Sequence, residues 1–395
     1  MRVMDSPWVS IIGLGEDGLP GLSDASRAAL AQAEIIFGGP RHLALVGAGD
    51  KGRAWPVPFS VGPVLALRGQ RVAILASGDP FWFGAGSSLT AHLARDEWQA
   101  FPAPSTFQLA AAQLGWRMEE ITCHGLHAAA FARLRPVLAK GARAICLLRD
   151  GDAPQALAKW LTDQGFTADL WVMEKLGGPQ QRIRQTTAAT FALHDMQAPV
   201  AVALQITAGQ GLPRAPGLDD ALFASDGQIT KRPVRALTLS ALAPRAGELL
   251  WDIGAGSGSI SVEWCLAGGR AVAFELRADR AVNIRANAAS FGVDHRLTCI
   301  EGPAAQTLTA HPMPDAVFIG GGGNTALIDQ LWQILPEGTR LVANGVTLET
   351  ESLLAHQHAL RGGSLLRIDL AHSAPLGRMR GWEASRPVVQ WSVIR

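Results

Sequence analysis

The stretch Asp252-Ile253-Gly254-Ala255-Gly256-Ser257-Gly258 joins an apolar run, Leu249–Ile253, to a helix-like segment, Ile260–Leu266. Its glycines allow a tight turn and a close approach of the backbone to a ligand. The helix start that follows offers free N–H groups to an acceptor such as a carboxylate. The stretch therefore predicts a strand, a ligand-binding turn and a helix, although a tight turn without a ligand is the alternative.

An acidic residue, Glu275, ends the next predicted strand, Ala271–Phe274. About 20 residues beyond the first glycine, such a residue can bind ribose hydroxyls. NAD and S-adenosyl-L-methionine both present a ribose, but the Asp252 start, the DxGxGxG form and the strand rhythm that follows favour the methyl donor. The second half of the chain resembles the class I methyltransferases. The resemblance implies cofactor contacts at Asp252, Gly254, Ala255, Gly256, Ser257, Gly258, Glu275 and, with Pro303 in place of an acidic residue, the backbone of Ala304.

The rest of this half continues the alternation of strands and helices. We predict a helix over Ala278–Phe291 and strands at Leu297–Ile300, Ala316–Ile319, Leu341–Ala343, Leu366–Leu370 and Val388–Val393, the last two closing the chain. A glycine run, Gly320–Gly323, follows the strand that faces the methyl-transfer position in this class. It is either a loose loop or a surface for a large flat substrate. Gly321 and Gly322 are candidate substrate contacts in the second case. Asn344, at the end of the strand Leu341–Ala343, is similarly either a turn residue or a substrate contact.

The first half also alternates apolar runs with helix-like stretches, which predicts an α/β fold with a largely parallel sheet. The helix Ser23–Ala33 has Ser23 as its N-cap. The predicted strands are Val9–Leu14, Ile35–Phe37, Val72–Leu75, Ala144–Leu148, Ala168–Met173 and Val200–Ile206. Between Thr207 and Ile229 turn residues dominate and the periodicity is lost. We therefore predict two domains, residues 1–215 and 216–395.

Four short motifs of the first half mean little singly, because each reads as turn or capping chemistry. They are Ile11–Gly15, Phe37–Leu43, Leu75–Phe81 and Pro102–Ala110, and Glu174–Pro179 also fits. In this order they resemble the tetrapyrrole methylase (class III methyltransferase) family. That resemblance implies cofactor contacts at Gly13, Gly15, Gly78, Asp79, Pro80, Ser105 and Thr106.

The two halves together resemble the fused methyltransferases of aerobic cobalamin biosynthesis. Ile229-Thr230-Lys231 matches the class I partner, which makes Thr230 a cofactor-side residue. The resemblance implies two S-adenosyl-L-methionine sites per chain and a tetrapyrrole substrate. The first half would methylate C5. The second half would methylate C15 and remove the carboxyl of the ring C acetate. Relatives of these classes self-associate, so we expect a homo-oligomer.

The implied chemistry explains which residues the sequence lacks. A meso carbon between reduced pyrrole rings is enamine-like and already nucleophilic, so alignment and exclusion of water are the main requirements. We therefore expect no catalytic triad and no metal site. The 35 basic residues comprise 30 arginines and five lysines. The guanidinium groups of arginine suit a substrate with many carboxylates. Candidate carboxylate-binding residues are Arg232, Arg235, Arg378 and Arg380, although any one of them can be an ordinary solvated residue.

Composition weighs against other classes of protein. A net charge of +1 and the absence of tyrosine disfavour an RNA methyltransferase, which needs a basic face with stacking aromatics. The intact glycine motifs disfavour a carrier without activity. No signal peptide and no apolar run of about 18 residues is evident. The four cysteines form no CxxC pair, which favours a reducing compartment. Together these observations predict a soluble cytoplasmic protein with no membrane or nucleic-acid partner.

Overall fold

The computed structural model describes residues 7–395, which divide into two compact units. Unit 1 contains residues up to 131 and residues 137–210, and unit 2 contains residues 132–136 and 211–395. The boundary predicted near residue 215 lies just after this division. The first six residues, which the predicted first domain includes, lie outside the described residues.

The first sheet of unit 1 has five parallel strands in the order β3-β2-β4-β1-β5. The strands are β1 (Val9–Leu14), β2 (Ile35–Gly38), β3 (Gly52–Ala54), β4 (Val72–Ser77) and β5 (Trp98–Phe101). The helices are α1 (Asp24–Gln32), α2 (Pro40–Leu45), α3 (Gly62–Leu65), α4 (Gly86–Thr90) and α5 (Thr106–Leu114). Ser23 caps α1 as predicted, because its side chain accepts a hydrogen bond from the Ser26 N–H group.

The second sheet of unit 1 has the order β6-β7-β10-β8-β9. Its strands are β6 (Ile121–Gly125), β7 (Arg143–Leu148), β8 (Thr167–Glu174), β9 (Arg182–Thr187) and β10 (Val200–Ala208), and α6 (Ala153–Asp163) follows β7. Only β6 and β7 pair in parallel, whereas β10 pairs antiparallel with both β7 and β8. The prediction of a largely parallel sheet is therefore right for the first sheet and wrong for the second.

Unit 2 contains one seven-stranded sheet in the order β13-β12-β11-β14-β15-β19-β16, in which only the pairs made by β19 are antiparallel. The strands of this sheet are β11 (Leu249–Ile253), β12 (Arg270–Glu275), β13 (Leu297–Glu301), β14 (Ala316–Ile319), β15 (Arg340–Gly345), β16 (Ser364–Ile368) and β19 (Val388–Ile394). The helices are α7 (Arg232–Leu242), α8 (Ser259–Leu266), α9 (Ala278–Ser290), α10 (Ala304–Thr307), α11 (Thr325–Ile334) and α12 (Leu348–Arg361).

Both faces of this sheet are covered, which explains why its strands are continuous apolar runs. Leu250 packs in the core on one face, with Ile260 of α8 and Ile284 of α9. Its neighbour Trp251 packs on the other face, with Leu331 of α11. A hairpin interrupts the predicted order of the last two strands, because β17 (Ala371–Leu376) and β18 (Met379–Ala384) lie between β16 and β19. No helix in the described part of the chain is long and apolar enough to cross a membrane.

Candidate functional site

The predicted glycine turn of unit 2 connects β11 to α8. Gly254, Gly256 and Gly258 have φ angles of 67°, 58° and 71°, a region that residues with a Cβ rarely adopt. The N–H groups of Gly254 and Ala255 donate to the carbonyl of Phe274 at 2.9 and 3.2 Å. These bonds fix the turn against the end of β12.

The loops after β11 and β14 touch at two glycines. A Cβ on Gly254 would lie 2.5 Å from the carbonyl oxygen of Gly321 and 2.8 Å from its Cα. A side chain at position 254 would therefore force the two loops apart. This close approach brings the cofactor-binding turn predicted from Gly254 next to the substrate contact predicted at Gly321.

Two polar atoms beneath the turn are buried and have no partner among the described residues. They are Oδ1 of Asp252 and Oγ of Ser257. The other carboxylate oxygen of Asp252 accepts a hydrogen bond of 2.7 Å from Ser261 Oγ. Burial raises the pKa of Asp252 to about 6, and the nearby carboxylate of Glu275 adds to this rise. Because unpaired buried polar groups are rare, an acceptor and a hydroxyl left free here fit a polar ligand.

The carboxylate of Glu275 lies at the edge of the same turn. One oxygen accepts a bond of 2.8 Å from the Gly256 N–H group, and the other accepts one of 3.0 Å from the Arg277 N–H group. Each oxygen retains a second lone pair for a ligand hydroxyl. Ala304 begins α10, so its N–H group is among those without an acceptor inside the helix.

Thr230 belongs to a segment that passes over the turn. The carbonyl of Gln228 lies 3.6 Å from the position that a Cβ on Gly256 would occupy. Arg280 holds this segment through an ion pair with Asp226 (2.9 Å) and a hydrogen bond to Gln228 Oε1 (2.9 Å). The structure thus brings the segment that contains Thr230 to the glycine turn.

Gly321, Gly322 and Asn344 line one cavity of about 140 Å³ at the carboxyl ends of β14 and β15. Asn344 is held in one orientation by two hydrogen bonds. Its Nδ2 donates to Thr238 Oγ1 (2.9 Å), and its Oδ1 accepts from Gln390 Nε2 (3.0 Å). The three predicted substrate contacts therefore share one site, although two lie in the loop after β14 and Asn344 lies in β15.

The prediction that Arg235 binds a substrate carboxylate needs correction. Its side chain is 0% exposed and forms ion pairs with Glu263 (2.6 Å) and Asp220 (2.9 Å). It also donates to the carbonyls of Leu218 and Thr230. Because its donors are used inside the protein, Arg235 stabilises the segment that carries Thr230 and does not reach a substrate.

The other three arginines are exposed. Arg232 begins α7, directly after the Thr230 segment. Arg378 lies in the turn between β17 and β18, and Arg380 lies on β18. Neither Arg378 nor Arg380 lines the cavity that contains Asn344.

In unit 1, the predicted glycines meet where β1 and β4 end. A Cβ on Gly13 would lie 2.0 Å from the carbonyl oxygen of Gly78, and one on Gly78 would lie 2.6 Å from Cα of Ser105. Ser105 caps α5 by accepting from the Gln108 N–H group, and Gln108 Oε1 accepts from the Ser105 N–H group. The three motifs are thus in direct backbone contact.

Two cavities adjoin this contact. One of about 130 Å³ lies between the two sheets and is lined by Gly15, Gly78 and Thr106 among others. The second, of about 340 Å³, is lined by Ser105, Thr106 and several aromatic residues. Asp79 and Pro80 line neither cavity. Asp79 instead shapes the turn, because its Oδ1 accepts from the Phe81 N–H group at 2.8 Å.

A polar cluster that sequence reasoning did not select as a site lies between these cavities. Arg41 forms an ion pair with Glu16 and donates to Ser77 Oγ (2.9 Å) and to Nε2 of His42 (2.9 Å). Because an arginine only donates, His42 Nε2 is the acceptor and its ring proton is on Nδ1. Burial, with the charge of Arg41, lowers the pKa of His42 to about 4. Ser77 lines both cavities; only its place in the quoted Leu75–Phe81 motif could have signalled this.

Each unit therefore has the glycine-edged site at the carboxyl ends of parallel strands that is typical of ligand-binding α/β domains. Residues 9–192 match the family model of the tetrapyrrole (corrin/porphyrin) methylases, and residues 221–395 match that of the precorrin methyltransferase domain. The protein is a methyltransferase that combines these two domains, and S-adenosyl-L-methionine is the methyl donor of its family.

Curated relatives cover nearly the whole chain. A Sinorhizobium precorrin-6Y C(5,15)-methyltransferase [decarboxylating] is 47% identical over 98% of this chain and 96% of its own length. A Mycobacterium tuberculosis protein of the same name is 40% identical over 98% of this chain and 100% of its own. The chain belongs to this family.

A solved structure also resembles unit 2. It is the C-terminal domain of precorrin-6Y C5,15-methyltransferase from Rhodobacter capsulatus, which is 61% identical. The match covers 47% of this chain and 100% of that one, with a TM-score of 0.46.

Proposed function

We propose that this protein methylates precorrin-6Y, in its reduced form precorrin-6B, at C5 and C15. In the same process it removes the carboxyl of the ring C acetate and gives precorrin-8X in cobalamin biosynthesis. The observation that carries the proposal is that each unit has its own glycine-edged site beside its own cavity. Two relatives whose names state this chemistry align with the chain across both units.

We assign one methylation to each unit from the family that each unit resembles. Unit 1, the tetrapyrrole methylase domain, methylates C5. Unit 2 methylates C15 and removes the carboxyl. Each unit binds one S-adenosyl-L-methionine molecule, so that a chain holds two.

In unit 2, the residues around the glycine turn suit the methyl donor, which supplies an electrophilic sulfonium methyl group when bound. The free Oδ1 of Asp252 is an acceptor for its ammonium group, and Ser257 Oγ is a donor for its carboxylate. Glu275 accepts from the ribose hydroxyls, and the Ala304 backbone contacts the adenine. Thr230 contacts the donor from the segment that passes over the turn.

In unit 1, Gly13, Gly15 and Gly78 let the backbone approach the donor, and Ser105 and Thr106 contact it from the start of α5. Asp79 and Pro80 act by shaping the turn after Gly78. The cavity of about 340 Å³ has the aromatic lining that a flat ring system requires. Ser77 joins the two cavities, so its hydroxyl lies where donor and acceptor substrates would meet.

The chain's own residues mainly orient the reactants and exclude water. No strong general base is needed for methyl transfer to an enamine-like carbon. The exposed Arg232, Arg378 and Arg380 are proposed to bind carboxylates at the substrate's periphery. We also propose a homo-oligomer, which the exposed apolar side chains Leu376, Met379 and Trp382 of the β17–β18 hairpin support. Light scattering of a Trp382→Ser variant tests this point.

Product mass tests the main proposal. The full chain is incubated with reduced precorrin-6Y and S-adenosyl-L-methionine, and the expected product has gained two methyl groups and lost one carbon dioxide. Equilibrium dialysis with labelled donor should give two bound molecules per chain. An unchanged tetrapyrrole mass in the presence of bound donor would contradict the substrate assignment.

A further inference from the structure

This inference deepens the proposed function of unit 2 and rests on it. We propose that the cavity between the loops after β14 and β15 holds the acetate carboxylate that unit 2 releases as carbon dioxide. Its volume of about 140 Å³ is well below the roughly 300–1,000 Å³ of pockets that enclose whole ligands. A short substituent of the tetrapyrrole fits this cavity, whereas the ring system does not.

The cavity adjoins the glycine turn at which methyl transfer takes place. Gly321 lines the cavity, and its backbone touches Gly254 so closely that a Cβ on Gly254 would lie 2.5 Å from the Gly321 carbonyl oxygen. A substituent in the cavity is therefore next to the methylated position. The substrate could therefore undergo methylation and loss of the carboxyl in the same bound orientation.

Residues that carry free neutral hydrogen-bond donors line the cavity. The N–H groups of Gly321, Gly322 and Gly323 have no acceptor within residues 7–395. One N–H of Asn344 Nδ2 donates to Thr238, and the second has no partner in the same range. An ionised carboxylate only accepts hydrogen bonds, so this set of donors matches it.

No cationic residue among residues 7–395 lines the cavity. None of its lining residues is lysine, arginine or histidine, and its floor is formed by apolar side chains such as Ile319, Ile328 and Leu354. An ion pair would stabilise the reacting carboxylate more than the departing neutral carbon dioxide, and would therefore raise the barrier. Neutral donors in an apolar site orient the carboxylate at a smaller cost than a cation would.

The step balances without an oxidant or a metal. Methyl transfer to C15 leaves a cationic, iminium-type ring system. The bond between the acetate methylene and its carboxylate then breaks, its electron pair moves into the cationic system, and carbon dioxide leaves. The methylene gains one proton from solvent and C15 loses one, so that a methyl group remains on ring C.

A new cation at the rim tests the proposal. Val346 lines the cavity and is 59% exposed, so Val346→Lys can place an ammonium beside the carboxylate without disturbing the core. We expect the carbon dioxide released per methyl group at C15 to fall by about tenfold or more, the KM for the tetrapyrrole to fall, and a methylated product that retains its carboxyl to accumulate. Leu348→Lys is the matched control, because Leu348 is 80% exposed and does not line the cavity.

Asn344→Asp provides a second test, because it removes a donor and adds a like charge. It should also lower the ratio of carbon dioxide to C15 methylation, but should raise the KM. The Gln333→Glu change on an exposed position of α11 is its control. A wild-type ratio in both Val346→Lys and Asn344→Asp would overturn the inference. Methylation by the wild-type chain without carbon dioxide would instead contradict the proposed function.

Discussion

The two units place glycines at the ends of parallel strands, but the ionisable groups at the resulting sites differ. In unit 2, the site lies at the edge of one sheet and its buried ionisable groups are the carboxylates of Asp252 and Glu275. In unit 1, the site lies between two sheets and its central group is the Arg41–His42 pair. The same methyl donor can therefore bind in two different electrostatic environments, because it carries both positive and negative groups. Variants that act on one unit at a time can test this difference.

The largest effect should come from the glycines that touch another backbone. Gly13→Ala would place a Cβ 2.0 Å from the Gly78 carbonyl, and Gly254→Ala would place one 2.5 Å from that of Gly321. Since a misplacement of about 1 Å can cost roughly 100-fold in rate, Gly13→Ala should abolish C5 methylation alone. Gly254→Ala should abolish C15 methylation and decarboxylation alone. The masses of the products distinguish a loss of C5 methylation from a loss of C15 methylation and decarboxylation.

The controls for this pair are glycines with positive φ but no neighbour within 4 Å, Gly47 in unit 1 and Gly338 in unit 2. Their alanine variants introduce backbone strain without a clash against another backbone, and should retain both activities. If Gly13→Ala and Gly254→Ala each reduced both methylations equally, the two units would not act as separate sites.

A second comparison concerns the buried carboxylate of each unit. Glu263 of unit 2 pairs with the fully buried Arg235, whereas Glu174 of unit 1 pairs with Arg182 and Arg184, which are partly exposed. Arg235→Met should lower the stability of unit 2 by about 3–5 kcal/mol, because it leaves a buried charge unpaired. Arg182→Met should cost unit 1 only about 1 kcal/mol.

Hydrogen exchange in β11 and in β10 reports these losses separately, which matters because a chain of two units need not unfold in one transition. The Arg235→Met variant combined with Glu263→Gln should recover part of the loss, since glutamine still accepts from the Leu218 N–H group without a charge. Equal costs for Arg235→Met and Arg182→Met would contradict the difference in burial.

The pKa values of His42 and Asp252 are shifted in opposite directions, which predicts opposite responses of the two units to pH. His42 has its pKa lowered from 6.5 to about 4, so between these values the unfolded state binds a proton that folded unit 1 excludes. Unit 1 should lose stability as the pH falls through this window. Asp252 has its pKa raised from 3.8 to about 6, so folded unit 2 binds the extra proton and should gain stability on the same change.

His42 and Asp252 each change the free energy of unfolding of their unit by on the order of 2–3 kcal/mol. The measurement is the protection of β4 and of β11 against hydrogen exchange between pH 4 and 7, relative to the His42→Gln and Asp252→Asn variants. Each variant should change the pH dependence of its own unit only. The same slope in a variant and the wild-type chain would rule out that residue as its source.

The strands that depend on the local pattern of apolar residues were predicted from the sequence. Strands β11 and β14 match their predicted bounds because they are buried on both faces and read as unbroken apolar runs. Strand β9, Arg-Ile-Arg-Gln-Thr-Thr, was missed because it is a polar strand at the edge of its sheet. Its polar composition gives no apolar run to detect.

The parts that were missed depend on partners far apart in the chain. Arg235 was predicted to bind a substrate carboxylate because it lies close in sequence to the predicted site, but it is buried against Glu263, 28 residues away. The contact between His42 and Ser77 joins residues 35 positions apart. Periodicity reports which face of an element is buried, but not which charged side chain finds a buried partner.

The smallest expected effect concerns two helix caps. Ser105 caps α5 and lines a cavity of unit 1, whereas Asn324 caps α11 and does not line the cavity of unit 2. Replacing either residue by alanine should cost about 1 kcal/mol of stability in its own unit, because one backbone N–H group loses its acceptor. Only Ser105→Ala should also weaken donor binding, measured by equilibrium dialysis at a temperature where both units are folded. Ser105→Thr retains the hydroxyl and should restore both properties, whereas unchanged donor binding in Ser105→Ala would show that Ser105 serves only as a cap.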